Sequence, residues 1–363
     1  MPIIAAIAVL EILIIVHELG HFLAARTQGI RVSRFSIGFG PVLWKYQGAQ
    51  TEYALRAIPL GGYVAFPDDE PIQETTPNDP GLLSNRPILD RAIVISAGVI
   101  ANLVFAYLLL VVQVGSAGIP QVDYRAGVLI PQVATQVSTA AVDAGIQAGD
   151  LVTAVNGTDL AAGEAGVKTL RQAIENNPNQ PLTLTLERDA QTLTVQVIPQ
   201  VGEEGMPKIG VGLIPNVEIS HRRPQNFGEI LSTGASEFER LTKLTVQGFG
   251  QLIGNFREAA GQVSGPVAIV AIGADIARSD ASRLLQFGAL ISINLAIINI
   301  LPLPALDGGQ LALLLVEGLR GKPLPSEVQY GVMQTGLFLL LGLGMVLIVR
   351  DTANLEWVQR LLQ

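Results

Sequence analysis

Two histidines and a glutamate stand at a spacing that can bind zinc and activate water, in the segment His17-Glu18-Leu19-Gly20-His21. On a helix, residues four apart share a face, so both imidazoles can bind one zinc ion. Zinc lowers the pKa of a water that it binds from about 15.7 to about 7, which makes a hydroxide nucleophile available at ordinary pH. Glu18 lies beside the histidines and can accept the proton and pass it to a leaving amine. The motif therefore predicts a hydrolytic Zn2+ site.

A hydrolytic zinc site needs a third protein ligand and an open position. The chain has no cysteine, and its third histidine, His221, lies in a part that is predicted below to be soluble. We therefore expect a carboxylate ligand, and Asp307 is the candidate because two prolines precede it and Gly308-Gly309 follows it. A helix broken in this way lets a polar side chain face a cavity instead of lipid. Asn299, on the same segment, could donate a hydrogen bond to a substrate carbonyl or to the oxyanion.

The composition indicates a chain that is partly surrounded by lipid. Hydrophobic residues make up 49% of the chain and charged residues 15%, whereas soluble domains average about 25% charged residues. Ionisable groups inside an apolar helix are costly, so Glu18 and its neighbouring histidines are functional candidates by position as well as by spacing. The net charge of −8 argues against a nucleic-acid partner, because proteins that bind nucleic acids carry a clustered basic surface.

Four apolar segments are long enough to cross a bilayer, which takes about 20 residues per helix. They are residues 1–25 with the zinc motif, 92–115, 284–309 with Asp307, and 331–350. A cleaved signal peptide is the alternative for the first segment, but no basic residue precedes it and polar residues interrupt it. Lys and Arg concentrate between the first two and the last two segments, which predicts that those connections are cytoplasmic and that the central part is not.

The connections carry further predicted structure. Residues 26–91 contain alternating strand-like runs at 31–66, interpreted as a membrane-associated β region, and an acidic loop at 67–80. Residues 122–201 are predicted to form a soluble α+β domain, in which Gly145–Asp150 and the turn Asn156-Gly157 resemble a PDZ domain. Residues 202–283 are a linker with an amphipathic helix at 226–258, expected to lie on or partly in the membrane, although packing on the soluble domain is the alternative.

These elements predict a multi-span α-helical membrane protein with about four transmembrane helices, a membrane-associated β region and a soluble α+β PDZ-like domain. PDZ domains add an extended peptide to a sheet edge. A peptide ligand is therefore one role for the PDZ-like domain, and a gating role is the other.

The motifs together resemble the site-2 protease family of intramembrane zinc metalloproteases, in its RseP-type branch with PDZ inserts. The resemblance rests on His17–His21 in a first span and on the pattern Asn299-x-x-Pro302-x-Pro304-x-x-Asp307-Gly308. Three shorter stretches add to it: Ala97–Asn102, Pro59–Tyr63 and Ser264–Val267. The chain has one PDZ-like domain where some relatives have two, and Gln310 where some have histidine.

The resemblance implies that His17, His21 and Asp307 bind the zinc, that Glu18 is the general acid/base and that Asn299 positions substrate. It also implies that strands around Gly38 and Gly61–Val64 pair with an unwound substrate segment. The implied substrates are single-span membrane proteins, such as anti-sigma factors or remnant signal peptides. The implied location is the bacterial inner membrane, with the PDZ-like domain on the extracytoplasmic side.

Two other classes of protein share parts of this pattern. A membrane-anchored PDZ adaptor with a structural or vestigial metal site is the first, but a structural zinc site has no use for the general base Glu18. An ordinary soluble zinc protease tethered to the membrane is the second, but its motif helix would be flanked by soluble sequence. An intramembrane zinc metalloprotease is the function that the sequence favours.

Overall fold

The computed structural model describes residues 2–69, 79–134, 138–201, 206–255, 263–280 and 282–353. Most of the predicted acidic loop and the end of the predicted amphipathic helix lie outside these ranges. The chain divides into two compact units, one formed by Met1–Gly118 with Pro224–Gln363 and the other by Ile119–Arg223.

The bounds of the elements are as follows. The helices are α1 (Pro2–Thr27), α2 (Ile88–Ala117), α3 (Ala140–Asp143), α4 (Glu164–Glu175), α5 (Phe227–Gly254), α6 (Pro266–Ser279), α7 (Arg283–Ile300), α8 (Asp307–Arg320) and α9 (Ser326–Ala353), with a 3-10 turn at Pro67–Asp69. The strands are β1 (Arg34–Gln47), β2 (Glu52–Ala65), β3 (Ile119–Leu129), β4 (Leu151–Val155), β5 (Thr158–Asp159), β6 (Leu182–Arg188), β7 (Gln191–Val197), β8 (Gln200–Val201), β9 (Pro207–Lys208) and β10 (Ile214–Arg222).

Four helices of the first unit, α1, α2, α7 and α9, are long and apolar enough to cross a membrane. Their outward faces carry large exposed apolar side chains, among them Leu339 (69% exposed) and Met345 (68% exposed). So much exposed apolar surface is unfavourable in water, whereas lipid solvates it without cost.

The packing of the first unit centres on α2, which contacts α1, α5 and α7. Buried Ala106 and Leu110 of α2 pack with Leu241 of α5 and with Ala289 and Ile293 of α7. Small residues at such contacts let helix backbones approach closely, which is how apolar helices associate in lipid. Helix α2 therefore packs on α1, which carries the zinc motif, as well as on α5 and α7.

Strands β1 and β2 form one sheet whose segments turn back on themselves. The pairs from Arg34–Glu52 to Ile37–Leu55 run in parallel, whereas those from Arg34–Ala65 to Ile37–Gly62 run antiparallel. Segment 34–37 therefore lies between segments 52–55 and 62–65. Segment 62–65 is an edge of the sheet, because no strand among the described residues pairs with its other side.

The sheet lies against α1, where the ring of Phe22 is 5.4 Å from that of Phe35. At its far end Trp44 and Tyr46 are each 58% exposed, and their rings stack 6.3 Å apart. Exposed aromatic side chains of this kind are typical of the membrane–water boundary.

The second unit is an α+β domain with the antiparallel strand order β10-β3-β4-β6-β7. Its core contains Val128, Leu170 and Leu184, which are fully buried. The turn before β4 is held by Asp150, whose carboxylate accepts hydrogen bonds of 2.6 and 2.7 Å from Arg188. This guanidinium contact keeps the pKa of Asp150 below its ordinary value.

A cavity of about 410 Å³ lies in the second unit beside α4. It is lined on one side by Arg171 and Ile174 of α4 and on the other by segment 206–213, which includes Ile209 and Leu213. A peptide ligand for this domain stays a prediction from the sequence.

Candidate active site

The turn between α7 and α8 brings Asp307 to the zinc motif. Helix α7 ends at Ile300, and Pro302 and Pro304 cannot continue it because proline lacks a backbone N–H. Ala305 then takes a positive φ of 70°, which reverses the chain so that α8 begins at Asp307. A carboxylate in the first turn of a helix is favoured by the helix dipole. The break predicted from the prolines therefore exists and sets Asp307 at a helix start.

The three predicted ligands meet at one point. The distance from Asp307 Oδ2 to Nε2 is 3.2 Å for His17 and 3.5 Å for His21, and the two Nε2 atoms are 3.2 Å apart. The side chains are 11%, 12% and 14% exposed for His17, His21 and Asp307 respectively.

These distances match the size of a zinc coordination sphere. Tetrahedral zinc with bonds of about 2.0–2.1 Å separates its ligand atoms by about 3.3 Å. Asp307 Oδ2 is buried and receives no hydrogen bond of acceptable geometry from the described part of the chain, which is costly for a carboxylate oxygen unless a cation lies against it. The residues present therefore fit a zinc ion.

Glu18 and Asn299 lie at the same place. Glu18 lines a cavity of about 360 Å³ together with His17, His21 and Asp307. Asn299, at the end of α7, has its Nδ2 atom 3.2 Å from Nε2 of His17. The structure thus brings together all five residues that the sequence singled out.

The β-sheet forms one wall of this cavity. Tyr63 and Val64 of the edge segment 62–65 line it, and Gly62 packs on Glu18, because a Cβ on Gly62 would lie 3.3 Å from Glu18 Cγ. The edge segment therefore runs directly beside the proposed general base.

Helix α2 contributes groups whose contacts with the histidines the sequence did not predict. Nδ1 of His21 donates to the Val94 carbonyl at 2.8 Å, and the side-chain amide of Asn102 is 3.3 Å from Nδ1 of His17. Val94, Gly98 and Asn102 are spaced by four, so they share one face of α2. The sequence feature that could have indicated this face of α2 is the pair Gly98 and Asn102, a glycine and an amide four residues apart in an apolar helix.

We expect Gly98→Ala to weaken zinc binding by more than tenfold. A Cβ at this position would overlap His21 Nε2 and lie 2.6 Å from His17 Cε1, so the imidazoles must move. Gly115→Ala on the same helix is the matched control, because its Cβ would meet nothing closer than 3.8 Å. Zinc affinity measured by competition with a chelator checks this; equal affinities for the two variants would contradict the close packing of Gly98 on the ligands.

Three features together define the class of membrane metalloproteases. They are the helix that carries two histidines and a glutamate, the carboxylate that faces it, and the four helices that are able to cross a membrane. The chain belongs to peptidase family M50, the site-2 protease family, whose profile matches residues 5–343. It is a zinc metalloprotease and an integral membrane protein.

Relatives match over nearly the whole chain. A Nostoc sp. protein whose name places it among the zinc metalloproteases is 59% identical, with 100% of both chains covered. Membrane metalloprotease ARASP, chloroplastic, of Arabidopsis thaliana is 48% identical over 98% of this chain and 80% of its own length. Protease RseP of Yersinia pestis is 32% identical over 94% of this chain and 96% of its own length.

A solved PDZ domain of an SdrC-like protein from Listeria monocytogenes matches 24% of this chain and 86% of its own length, at 20% identity and a TM-score of 0.21. A similarity at this TM-score says nothing about what the domain binds.

Proposed function

We propose that this zinc metalloprotease cleaves peptide bonds within or next to the transmembrane segments of single-span membrane proteins. The observation that carries the proposal is the convergence of His17, His21 and Asp307, whose ligand atoms lie 3.2–3.5 Å apart. Both histidines are on α1, a helix that is apolar enough to cross a membrane, and Asp307 follows the end of α7, which is another such helix. Because the chain belongs to a peptidase family, it is an enzyme and not a membrane-anchored PDZ adaptor.

Each residue has one task in this proposal. His17, His21 and Asp307 hold the zinc, which when bound polarises a carbonyl and makes water acidic enough to ionise near neutral pH. Glu18 takes a proton from the attacking water and delivers it to the leaving amine. Asn299 uses its side-chain NH2 to hold the carbonyl oxygen of the scissile peptide bond, where negative charge develops.

The substrate must be held in an extended form. The peptide groups of a transmembrane helix are hydrogen-bonded within the helix, so a protease can reach them only after local unwinding. The edge segment 62–65 has an unpaired side among the described residues and runs beside Glu18. Pairing of this edge with the substrate backbone would replace the hydrogen bonds that unwinding removes. Anti-sigma factors and remnant signal peptides are substrates of the type that the proposal fits.

A reporter with one apolar span tests the proposal. We expect the purified protein in liposomes to cut it, and the product masses to place the cut inside the span or within a few residues of its end. Glycine pairs placed in the span should raise the rate, because they lower the cost of unwinding by about 1 kcal/mol per residue. Cuts confined to a distant soluble flank would refute intramembrane cleavage while leaving the protease activity intact.

We also propose that the second unit lies on the extracytoplasmic side of a bacterial inner membrane. Because the chain has no cysteine, single cysteines report topology without background. We expect a cysteine at exposed Gln191 to react with an impermeant maleimide added outside the cells, and one at exposed Lys322 to react only after lysis. The reverse pattern would overturn the orientation.

A further inference from the structure

We propose that Asn102 is a positioning residue whose side-chain oxygen accepts a hydrogen bond from His17 Nδ1–H and thereby keeps Nε2 of His17 free to bind zinc. The proposal rests on the ligand role of His17 proposed above. It extends the site to a residue of α2 that is not one of the three proposed zinc ligands.

His17 lies between two asparagine side chains. Its two ring nitrogens each face an asparagine: Nε2 lies 3.2 Å from Nδ2 of Asn299, and Nδ1 lies 3.3 Å from Nδ2 of Asn102. A neutral histidine has one donor and one acceptor nitrogen, so it cannot accept hydrogen bonds from two NH2 groups at once. One of the two amides must therefore present its oxygen.

Asn102 is the amide that turns. It is fully buried, and its Oδ1 atom has no hydrogen-bond partner among the residues that the structure describes. A buried amide oxygen without a partner is unfavourable. The oxygen and nitrogen of an amide are assigned from their surroundings, and turning the Asn102 amide by half a turn places the oxygen on Nδ1 of His17. The same rotation gives His17 one donor and one acceptor.

His21 already makes the corresponding hydrogen bond to α2. Nδ1 of His21 donates to the Val94 carbonyl at 2.8 Å, which leaves Nε2 of His21 directed at Asp307. Val94 and Asn102 lie on the same face of α2, on either side of Gly98. In zinc sites the ring N–H that does not face the metal usually donates to a carbonyl or carboxylate. Helix α2 therefore supplies an acceptor to each histidine, a main-chain carbonyl to His21 and an amide oxygen to His17.

The backbone of Asn102 is also held in place. Its carbonyl accepts a hydrogen bond of 2.8 Å from the hydroxyl of Ser292 on α7, the helix that carries Asn299. This contact fixes the position of the residue but does not touch His17. It therefore provides a control that separates the side-chain role of Asn102 from packing of the two helices.

Zinc affinity of the whole protein in detergent tests the proposal. We expect Asn102→Leu, which keeps the size and removes the acceptor, to weaken zinc binding by about 10–100-fold. Asn102→Asp keeps an acceptor oxygen and should bind zinc within a few-fold of wild type. Ser292→Ala should bind zinc like wild type. Unchanged affinity in Asn102→Leu, or an equal loss in Asn102→Leu and Asn102→Asp, would overturn the proposal.

A direct measurement covers the case in which Asn102→Leu does not fold. The chain has three histidines, so 15N-histidine labelling of the zinc-free protein gives few signals, and His17→Ala assigns one set of them. We expect neutral His17 in wild type to be protonated at Nδ1; protonation at Nε2 would overturn the proposal. If His17→Ala instead binds zinc as tightly as wild type, the ligand assignment of His17 fails, which is a different result from a change of tautomer.

Discussion

Replacement of Glu18 by glutamine should lower kcat/KM for a single-span reporter by about 10²–10⁴-fold, while the zinc content stays at that of the wild type. Glutamine has the size of glutamate and can still lie against Gly62, but it cannot accept a proton from water. Glu18 is not one of the three groups whose ligand atoms converge, so the metal site should be unaffected. The expected result is a protein that binds zinc like the wild type and cleaves the reporter far more slowly.

The matched control for this variant is Glu11→Gln. Glu11 is on the same helix α1, two turns before Glu18, and does not line the cavity. The substitution removes the same charge from the same apolar segment, so it controls for any general effect on insertion or folding. Cleavage rate and zinc content should be measured on one preparation of each variant. Equal rates for Glu18→Gln and Glu11→Gln would show that Glu18 is not the general acid/base.

The parts of the molecule that follow from local sequence were predictable. Apolar segments of sufficient length predict the candidate spans, which the structure has as α1, α2, α7 and α9. The His17–His21 spacing puts two imidazoles on one helix face, and the prolines before Asp307 require the helix to break there. The break also explains why one apolar segment, 284–309, contains the end of α7 and the start of α8. Family membership confirms the resemblance that these motifs carried.

The parts that depend on contacts between distant residues were not predictable in the same way. The Val94 carbonyl is 73 residues from His21, and the Asn102 amide is 85 residues from His17. Nothing in the periodicity of α2 says which of its faces meets α1. In the same way, alternation predicted strands at 31–66, but it could not predict that segment 34–37 would pair on both sides and leave 62–65 as the edge beside Glu18.

Loss of the Asp307 carboxylate should have a larger effect on the metal than any other change considered. We expect Asp307→Asn to weaken zinc binding by more than 100-fold and to abolish cleavage. Loss of a partner that only orients a ligand costs about 10–100-fold in metal affinity, and Asp307 is placed to touch the ion itself. Asp307 is also the one carboxylate among the three proposed ligands, and its negative charge would offset part of the positive charge of zinc in an apolar surrounding.

Gln310→Ala is the control for Asp307→Asn, since Gln310 lies on the same helix α8 and lines the same cavity. Its zinc affinity should equal that of the wild type, and zinc content by elemental analysis would confirm the titration. Wild-type affinity in Asp307→Asn would exclude Asp307 as a ligand, whatever its activity. The two losses of activity are therefore distinguishable: Glu18→Gln keeps the metal and loses proton transfer, whereas Asp307→Asn loses the metal. If both variants kept zinc, or both lost it, the proposed division of proton transfer and metal binding between these two carboxylates would be wrong.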